Sequence, residues 1–291
     1  MDNFQKIATK VSFVSIIGNI FLSVFKFLAG IIAHSGAMIS DAIHSGSDVI
    51  SSIIVIIGVH MASKDSDKEH PYGHERLECV VAIILSTVLL FTGLAIGFSA
   101  VKTIYTKNYM TLPTPGVLAL AAALISIVAK ELMYWYTRYY AKKIDSSALL
   151  ADAWHHRSDS LSSIGALIGI GGAMMGYAIL DSVASLVICI FIAKAAYDIF
   201  MDAVDKMVDH ACDDSTEEAI RQCALQTQGV LGIDLLRTRV FGNKIYVDME
   251  ICADGNGTLT ESHAIAEQVH DRIETQFPKV KHIMIHVNPA D

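Results

Sequence analysis

Two segments of the chain carry the same spaced set of ionisable residues. Asp41-Ala42-Ile43-His44-Ser45-Gly46-Ser47-Asp48 and Asp152-Ala153-Trp154-His155-His156-Arg157-Ser158-Asp159 both read D-A-x-H-x-x-S-D. Each continues to a serine pair, Ser51-Ser52 and Ser162-Ser163. A His and an Asp four residues apart share one face of a helix, one turn apart. Two such helices facing each other present two imidazoles and two carboxylates to one point. That is a four-ligand tetrahedral set suited to Zn²⁺, with Co²⁺ and Cd²⁺ as chemical relatives. The plainer reading is that these side chains satisfy one another across a helix interface. Asp41 and Asp152, at the head of each repeat, are expected to support the ion path or orient the ligands, with helix capping or interhelical hydrogen bonding as the alternative.

The elements that carry the repeats are unusual places for charge. The 291 residues are 53% hydrophobic and only 18% charged, with a mean hydropathy of +0.45. The apolar residues fall in blocks long enough for membrane helices, which need about 20 residues each. Spans are expected over Val11–Ala33, Ala37–His60, Cys79–Val101, Pro115–Trp135, Ser147–Gly171 and Tyr177–Phe200. The first repeat falls in the second span and the other in the fifth. An ionisable residue inside the bilayer costs at least about 2.5 kcal/mol on insertion scales, so a duplicated cluster points to function. Lys26 is the exception in an otherwise apolar first span; it can snorkel or pair with a carboxylate.

Short-loop cations set the expected orientation. Lys6 and Lys10 precede the first span, Lys64, Lys68 and Arg76 follow the second, and Arg138, Lys142 and Lys143 follow the fourth. The other side offers Lys102 and Lys107. Both termini are therefore expected in the cytoplasm, with the chain multi-pass in the cell membrane and no cleavable signal peptide. The five cysteines, Cys79, Cys189, Cys212, Cys223 and Cys252, form no CxxC pair and are expected as free thiols.

Two domains are expected: a six-helix membrane unit over residues 1–207 and a smaller one over 208–291. From His210 onward there are seven Lys/Arg against thirteen Asp/Glu, most of the net charge of −8. That excess disfavours nucleic acid as a partner. The tail reads as αββαβ: a helix over Ser215–Thr227 opened by Ser-Thr-Glu-Glu, strands Leu231–Phe241 and Lys244–Ala253 joined through Gly242-Asn243, a helix capped by Thr260 and running to Phe277, and a strand Val280–Val287. One open sheet with two helices on one face is expected. The fold class is thus an α-helical membrane protein of six transmembrane helices followed by a small cytoplasmic α+β domain.

Six spans, paired His/Asp motifs in the second and fifth, a histidine-bearing loop and an αββαβ tail together resemble the cation diffusion facilitator family over essentially the whole chain. The resemblance implies a homodimer that exports divalent metal from the cytoplasm in exchange for protons. It assigns the transport site to His44, Asp48, His155 and Asp159, and His44 resembles the zinc rather than the manganese pattern. In Asp67-Lys68-Glu69-His70-Pro71-Tyr72-Gly73-His74 it implies a second site on Asp67, His70 and His74. Two histidines bracketing a Pro-Tyr-Gly turn beside an Asp also make a three-ligand site with an open position on chemistry alone, the alternative being a solvated polar loop.

Matching Leu236-Arg237-Thr238-Arg239 and His286-Val287-Asn288-Pro289 places Asp234, Glu250, His263 and His286 at the family's tail metal positions. Asp234 and Glu250 there replace imidazoles, and Asn288 replaces a carboxylate, which weakens a site for borderline-soft metals. Dimerisation without metal is the alternative role of the tail. Arg76 and Asp209 match an interlocking charge pair of some relatives. Zinc is the expected substrate and a regulator as well, with iron, cobalt, nickel, cadmium or manganese as alternatives on the same scaffold. A membrane metalloenzyme and a membrane-anchored sensor are the remote rivals. The chain has no HExxH, no G-x-S-x-G and no G-x-x-x-x-G-K-[ST], so no enzyme is expected.

Overall fold

The computed structural model describes residues 3–32, 36–106, 117–174 and 180–290. They form two compact units, Met1–Ala203 and Val204–Asp291.

The first unit is a bundle of six long helices, α1 (Asn3–Ile32), α2 (Gly36–Ala62), α3 (Leu77–Thr106), α4 (Val117–Ile144), α5 (Ser147–Met174) and α6 (Leu180–Met207). Each overlaps one expected span and outruns it by up to about three turns, because an α-helix continues into polar sequence until a cap or breaker stops it. Among the described residues, Phe4–Ala29 and Leu77–Thr106 are long and apolar enough by themselves to cross a membrane. The helices bearing the repeats carry ionisable residues within their apolar runs. Phe13, Phe21, Phe91 and Phe98 on α1 and α3 are more than half exposed, an apolar surface that suits lipid.

Packing in the bundle puts α1 against α2 and α4, α4 against α5, and α5 against α2 and α3. The α4–α5 connection is a tight reversal. Lys142 and Lys143 complement the dipole at the end of α4. Asp145 then turns the chain with φ of 56°, and the Ser146 hydroxyl accepts the Leu149 N–H at 3.2 Å to start α5. Lys130 lies fifteen residues before Asp145 and Asp159 fourteen after it. At 1.5 Å of rise per residue, the hairpin brings those two positions level. Across it, the Arg157 guanidinium lies 4.3 Å from the centre of the buried Tyr134 ring.

The second unit contains α7 (Asp214–Leu225), β1 (Gly232–Phe241), β2 (Lys244–Asp254), α8 (Leu259–Gln276) and β3 (Val280–Ala290). The sheet order is β1-β2-β3, with β1 antiparallel and β3 parallel to β2. Gly242 takes the left-handed φ of 63° that the two-residue turn between β1 and β2 needs. Val247, Met249 and Ile251 of β2 point to one face, where Ile220 and Cys223 of α7 and Val269 and Ile273 of α8 cover them. Both helices therefore lie on one face of the sheet.

The helix starts differ from expectation. Asp213, not the Ser-Thr pair, caps α7 by accepting the Thr216 N–H at 2.9 Å. Thr258, not Thr260, caps α8, in a reciprocal capping box with Glu261. Among the described residues the five cysteines form no disulfide.

Candidate metal centre

One ligand atom each from Asp48, His155 and Asp159 lies within 4.8 Å of the others. The α5 repeat puts His155 and Asp159 on one face, and α2 supplies Asp48. The imidazole Nε2 of His155 is 3.2 Å from Asp48 Oδ1. Asp48 is 2% exposed and His155 9%, so these donors are withdrawn from water. Side-chain placement of His44 and Asp41 lies outside the described residues. Asp152 is fully buried and accepts the Ser52 hydroxyl at 3.3 Å, tying α5 to α2 just behind the cluster. The adjacent His156 is fully buried too, its Nε2 3.6 Å from Asp152 Oδ2.

Sequence reasoning overlooked a central member of this site. Lys130 of α4 extends its ammonium between the carboxylates, 2.6 Å from Asp48 Oδ2 and 2.8 Å from Asp159 Oδ2. Its third bond goes to Asn19 Oδ1 of α1 at 2.9 Å. An ammonium has three donors, and all three are engaged here. The signal was available: Lys130 breaks the fourth apolar run as the Asp residues break the second and fifth. Lys26 donates to Ser45 Oγ at 2.9 Å and lines, with Lys130, Ser126, Ser158 and Asp159, a cavity of about 240 Å³ beside the cluster.

The loop after α2 gathers a second donor set, again with one ligand atom of each of Asp67, His70 and His74 within 4.8 Å. Local turn chemistry does this. Asp67 Oδ1 accepts the N–H groups of Glu69 and His70 at 3.0 and 2.8 Å. The His70-Pro71-Tyr72-Gly73 turn closes through a Gly73 N–H bond to the His70 carbonyl at 3.0 Å, with Gly73 at φ of 101°. The two imidazole rings end 4.5 Å apart between centroids, and His74 Nε2 is 3.5 Å from Asp67 Oδ2. The Lys64 ammonium, 2.7 Å away, and the His70 N–H hold the Asp67 carboxyl well below the usual carboxylate range.

In the tail, Asp234, Glu250, His263 and His286 do not converge into such a set among the described residues. Glu250 and His286 are register partners on β2 and β3, on the sheet face opposite the helices. His263 rides on α8, which covers the other face, and pairs with Glu267 at 3.6 Å. The alternation of the strands thus separates it from the carboxylates. Asn288 Nδ2 instead bridges Asp234 Oδ2 at 2.8 Å and Glu250 Oε2 at 3.3 Å, and the Cys252 thiol donates to Asp234 Oδ1 at 3.0 Å. That bond pushes the thiol of Cys252 up and, with Asn288, holds the Asp234 carboxyl down. Arg76 and Asp209 lie in different units.

A buried carboxylate–imidazole cluster inside a bundle of long apolar helices, followed by a small α+β unit, defines a membrane cation carrier as a class. Residues 12–208 match the cation efflux transmembrane domain, and residues 212–290 match the cytoplasmic domain of cation efflux proteins. The chain is 38% identical to an uncharacterized transporter of Methanocaldococcus jannaschii, over 95% of this chain and 96% of that one. It is 36% identical to metal tolerance protein C1 of Arabidopsis thaliana, over 97% of this chain and 62% of the relative. With the manganese efflux system protein MneP of Bacillus subtilis it shares 31% identity, over 98% and 97%. The chain belongs to the cation diffusion facilitator family. It is a multi-pass membrane protein of six transmembrane helices followed by a cytoplasmic α+β domain. The family exports divalent metal cations and is one of transporters, not enzymes.

Proposed function

We propose that this protein exports a divalent transition-metal cation, zinc foremost, in exchange for protons, by alternating access around Asp48, His155 and Asp159 with His44 as the fourth ligand. The observation that carries the reading is the buried convergence of Asp48 and the α5 His/Asp pair. Two carboxylates with imidazole make a donor set for borderline divalent cations. Imidazole binds metal only when neutral, so protons and metal compete for the same nitrogens. Protons from an acidic outer side displace the metal there, and their release inward restores the ligands. Metal enters from the cytoplasm, where the short-loop cations put both termini.

The loop set of Asp67, His70 and His74 serves as a second, more accessible metal site. The tail pairs two copies of the chain into a homodimer. Its acidic cluster of Asp234 and Glu250, already bridged by Asn288, is a weak metal site at most. Manganese is the second reading for the substrate. It is favoured by the similarity to a manganese efflux protein and by the oxygen-rich donors of Asp48 and Asp159.

The test is metal flux into proteoliposomes carrying an internal pH dye, comparing wild type with Asp48→Ala plus Asp159→Ala. Zinc uptake coupled to proton release, lost in the double variant, is the expected result. Flux that persists in the double variant overturns the site. Zinc silence with manganese flux keeps the mechanism and changes the substrate.

A further inference from the structure

The ammonium of Lys130 occupies the place a transported cation needs. Its Nζ is 2.6 Å from Asp48 Oδ2 and 2.8 Å from Asp159 Oδ2. A divalent metal bound to the same two oxygens, at about 2.0–2.2 Å, would sit on nearly the same point. Metal and ammonium cannot share it, by contact distance and by charge. Yet the lysine is not a misplaced surface residue. It is 2% exposed, comes from a third helix, and has its full complement of acceptors with Asn19 as the third.

We propose that Lys130 is the tethered counter-cation of the transport site: its ammonium neutralises Asp48 and Asp159 in the unloaded carrier and withdraws into the adjacent cavity when a metal binds. This rests on the reading of Asp48, His155 and Asp159 as the transport site. Two ionised carboxylates buried side by side are costly without a partner, and a carrier must return unloaded through the same bundle. The ammonium meets that need without another ion from solution. The structure also provides somewhere for it to go. Lys130 lines a cavity of about 240 Å³ that Lys26, Ser126 and Ser158 line as well, and among the described residues the buried Ser158 hydroxyl has no hydrogen-bond partner. Withdrawal there exchanges carboxylate acceptors for the hydroxyls of Ser126 and Ser158 while the charge is kept.

Two consequences separate this from a merely structural lysine. Metal binding has to displace a resident cation, so the lysine lowers apparent affinity and favours release. A singly charged ion holds the carboxylates no better than the tethered ammonium does, so the lysine also selects for divalent charge.

The test uses the purified full-length protein, titrated with Zn²⁺ and separately with Mn²⁺ by calorimetry, as wild type, Lys130→Gln, Lys130→Arg and Asp48→Asn. Lys130→Gln removes the competitor and is expected to bind about tenfold or more tightly than wild type. In proteoliposomes it should retain metal-for-metal exchange while net flux falls, because the unloaded return is impaired. Lys130→Arg should bind about tenfold more weakly than wild type, since a guanidinium forked across two carboxylates is harder to displace. Equal or weaker binding by Lys130→Gln overturns the proposal. If that variant does not fold, Lys130→Arg decides, and wild-type affinity in it overturns the proposal. Asp48→Asn keeps the two readings apart. Loss of binding there with unaltered Lys130→Gln sinks only the counter-cation, whereas wild-type binding in Asp48→Asn sinks the transport site itself.

Discussion

Asp48→Asn removes one charge from the centre of the site while preserving its shape, and the structure sets the size of the effect. Asp48 is 2% exposed and contacts Lys130 at 2.6 Å and His155 at 3.2 Å. Breaking a buried ion pair outright costs about 3–5 kcal/mol. Here Lys130 keeps Asp159 at 2.8 Å and Asn19 at 2.9 Å, and the asparagine carbonyl can still accept from it. The loss of stability is therefore closer to the difference between a charged and a neutral hydrogen bond, about 1–2 kcal/mol. Thermal unfolding in detergent should fall by roughly 2–8 °C, at about 2–4 °C per kcal/mol for a chain of this size. Metal affinity should suffer more. Loss of groups that only orient a ligand costs about 10–100-fold, so loss of a ligand should cost about 100-fold or more, near 3 kcal/mol. Calorimetry on the intact protein reads affinity, and flux with an internal pH dye reads function. A variant that folds, yet transports within about twofold of wild type, would refute the placement of the ion path at Asp48.

Three further expectations test other parts of the molecule. The Asp67 carboxyl is depressed below its ordinary value of 3.8 by Lys64 and the His70 N–H. Its contribution to loop order is therefore fully present above that value and is lost only as pH falls through the depressed one. Carboxyl carbon NMR of Asp67 should show no titration between pH 7 and about 3, where an ordinary aspartate is already mostly protonated, and an ordinary aspartate titration curve contradicts the hydrogen-bonded turn. Gly58 of α2 lets the helix approach Val81 of α3 so closely that an added Cβ collides with the valine methyls. Gly58→Leu should destabilise the bundle by about 1–3 kcal/mol through overpacking, measured as a lower unfolding temperature, and an unchanged temperature contradicts the contact. Thr258→Ala should cost the tail about 1 kcal/mol by removing the capping box of α8. Faster amide exchange confined to the first turn of α8 is the expected signature, and unaltered exchange there counts against the cap.

Much of the candidate site was readable in one dimension because its chemistry is local. The four-residue spacing of His155 and Asp159 becomes a shared helix face by the helical period alone. Asp67, His70 and His74 converge through an Asx turn and a Pro-Tyr-Gly reversal, all within eight residues. The alternation of β2 and the Gly242-Asn243 turn likewise announced the order of the tail. Even the helix starts missed in the tail, at Asp213 and Thr258, lay within two residues of expectation, because a cap depends on which of several neighbouring oxygens reaches an N–H.

What stayed hidden depends on which helices meet and at what depth. Of the adjacent His155 and His156, only the first reaches Asp48, while the second is enclosed against Asp152. The repeat singles out His155 along the chain, but that it meets Asp48 follows from the position of α2. Lys130 and Asn19 come from α4 and α1, over a hundred residues apart. Only helix packing makes them neighbours of the repeats. The tail shows the reverse case: Asp234 and Glu250 meet through Asn288, while His263, on α8 over the other sheet face, pairs with Glu267 instead. The elements, the repeated ligand face and the folded loop could be read along the chain, since short-range backbone geometry suffices for those. Tertiary structure alone decided which ammonium lies between Asp48 and Asp159, because side-chain contacts between separate helices follow from packing and burial.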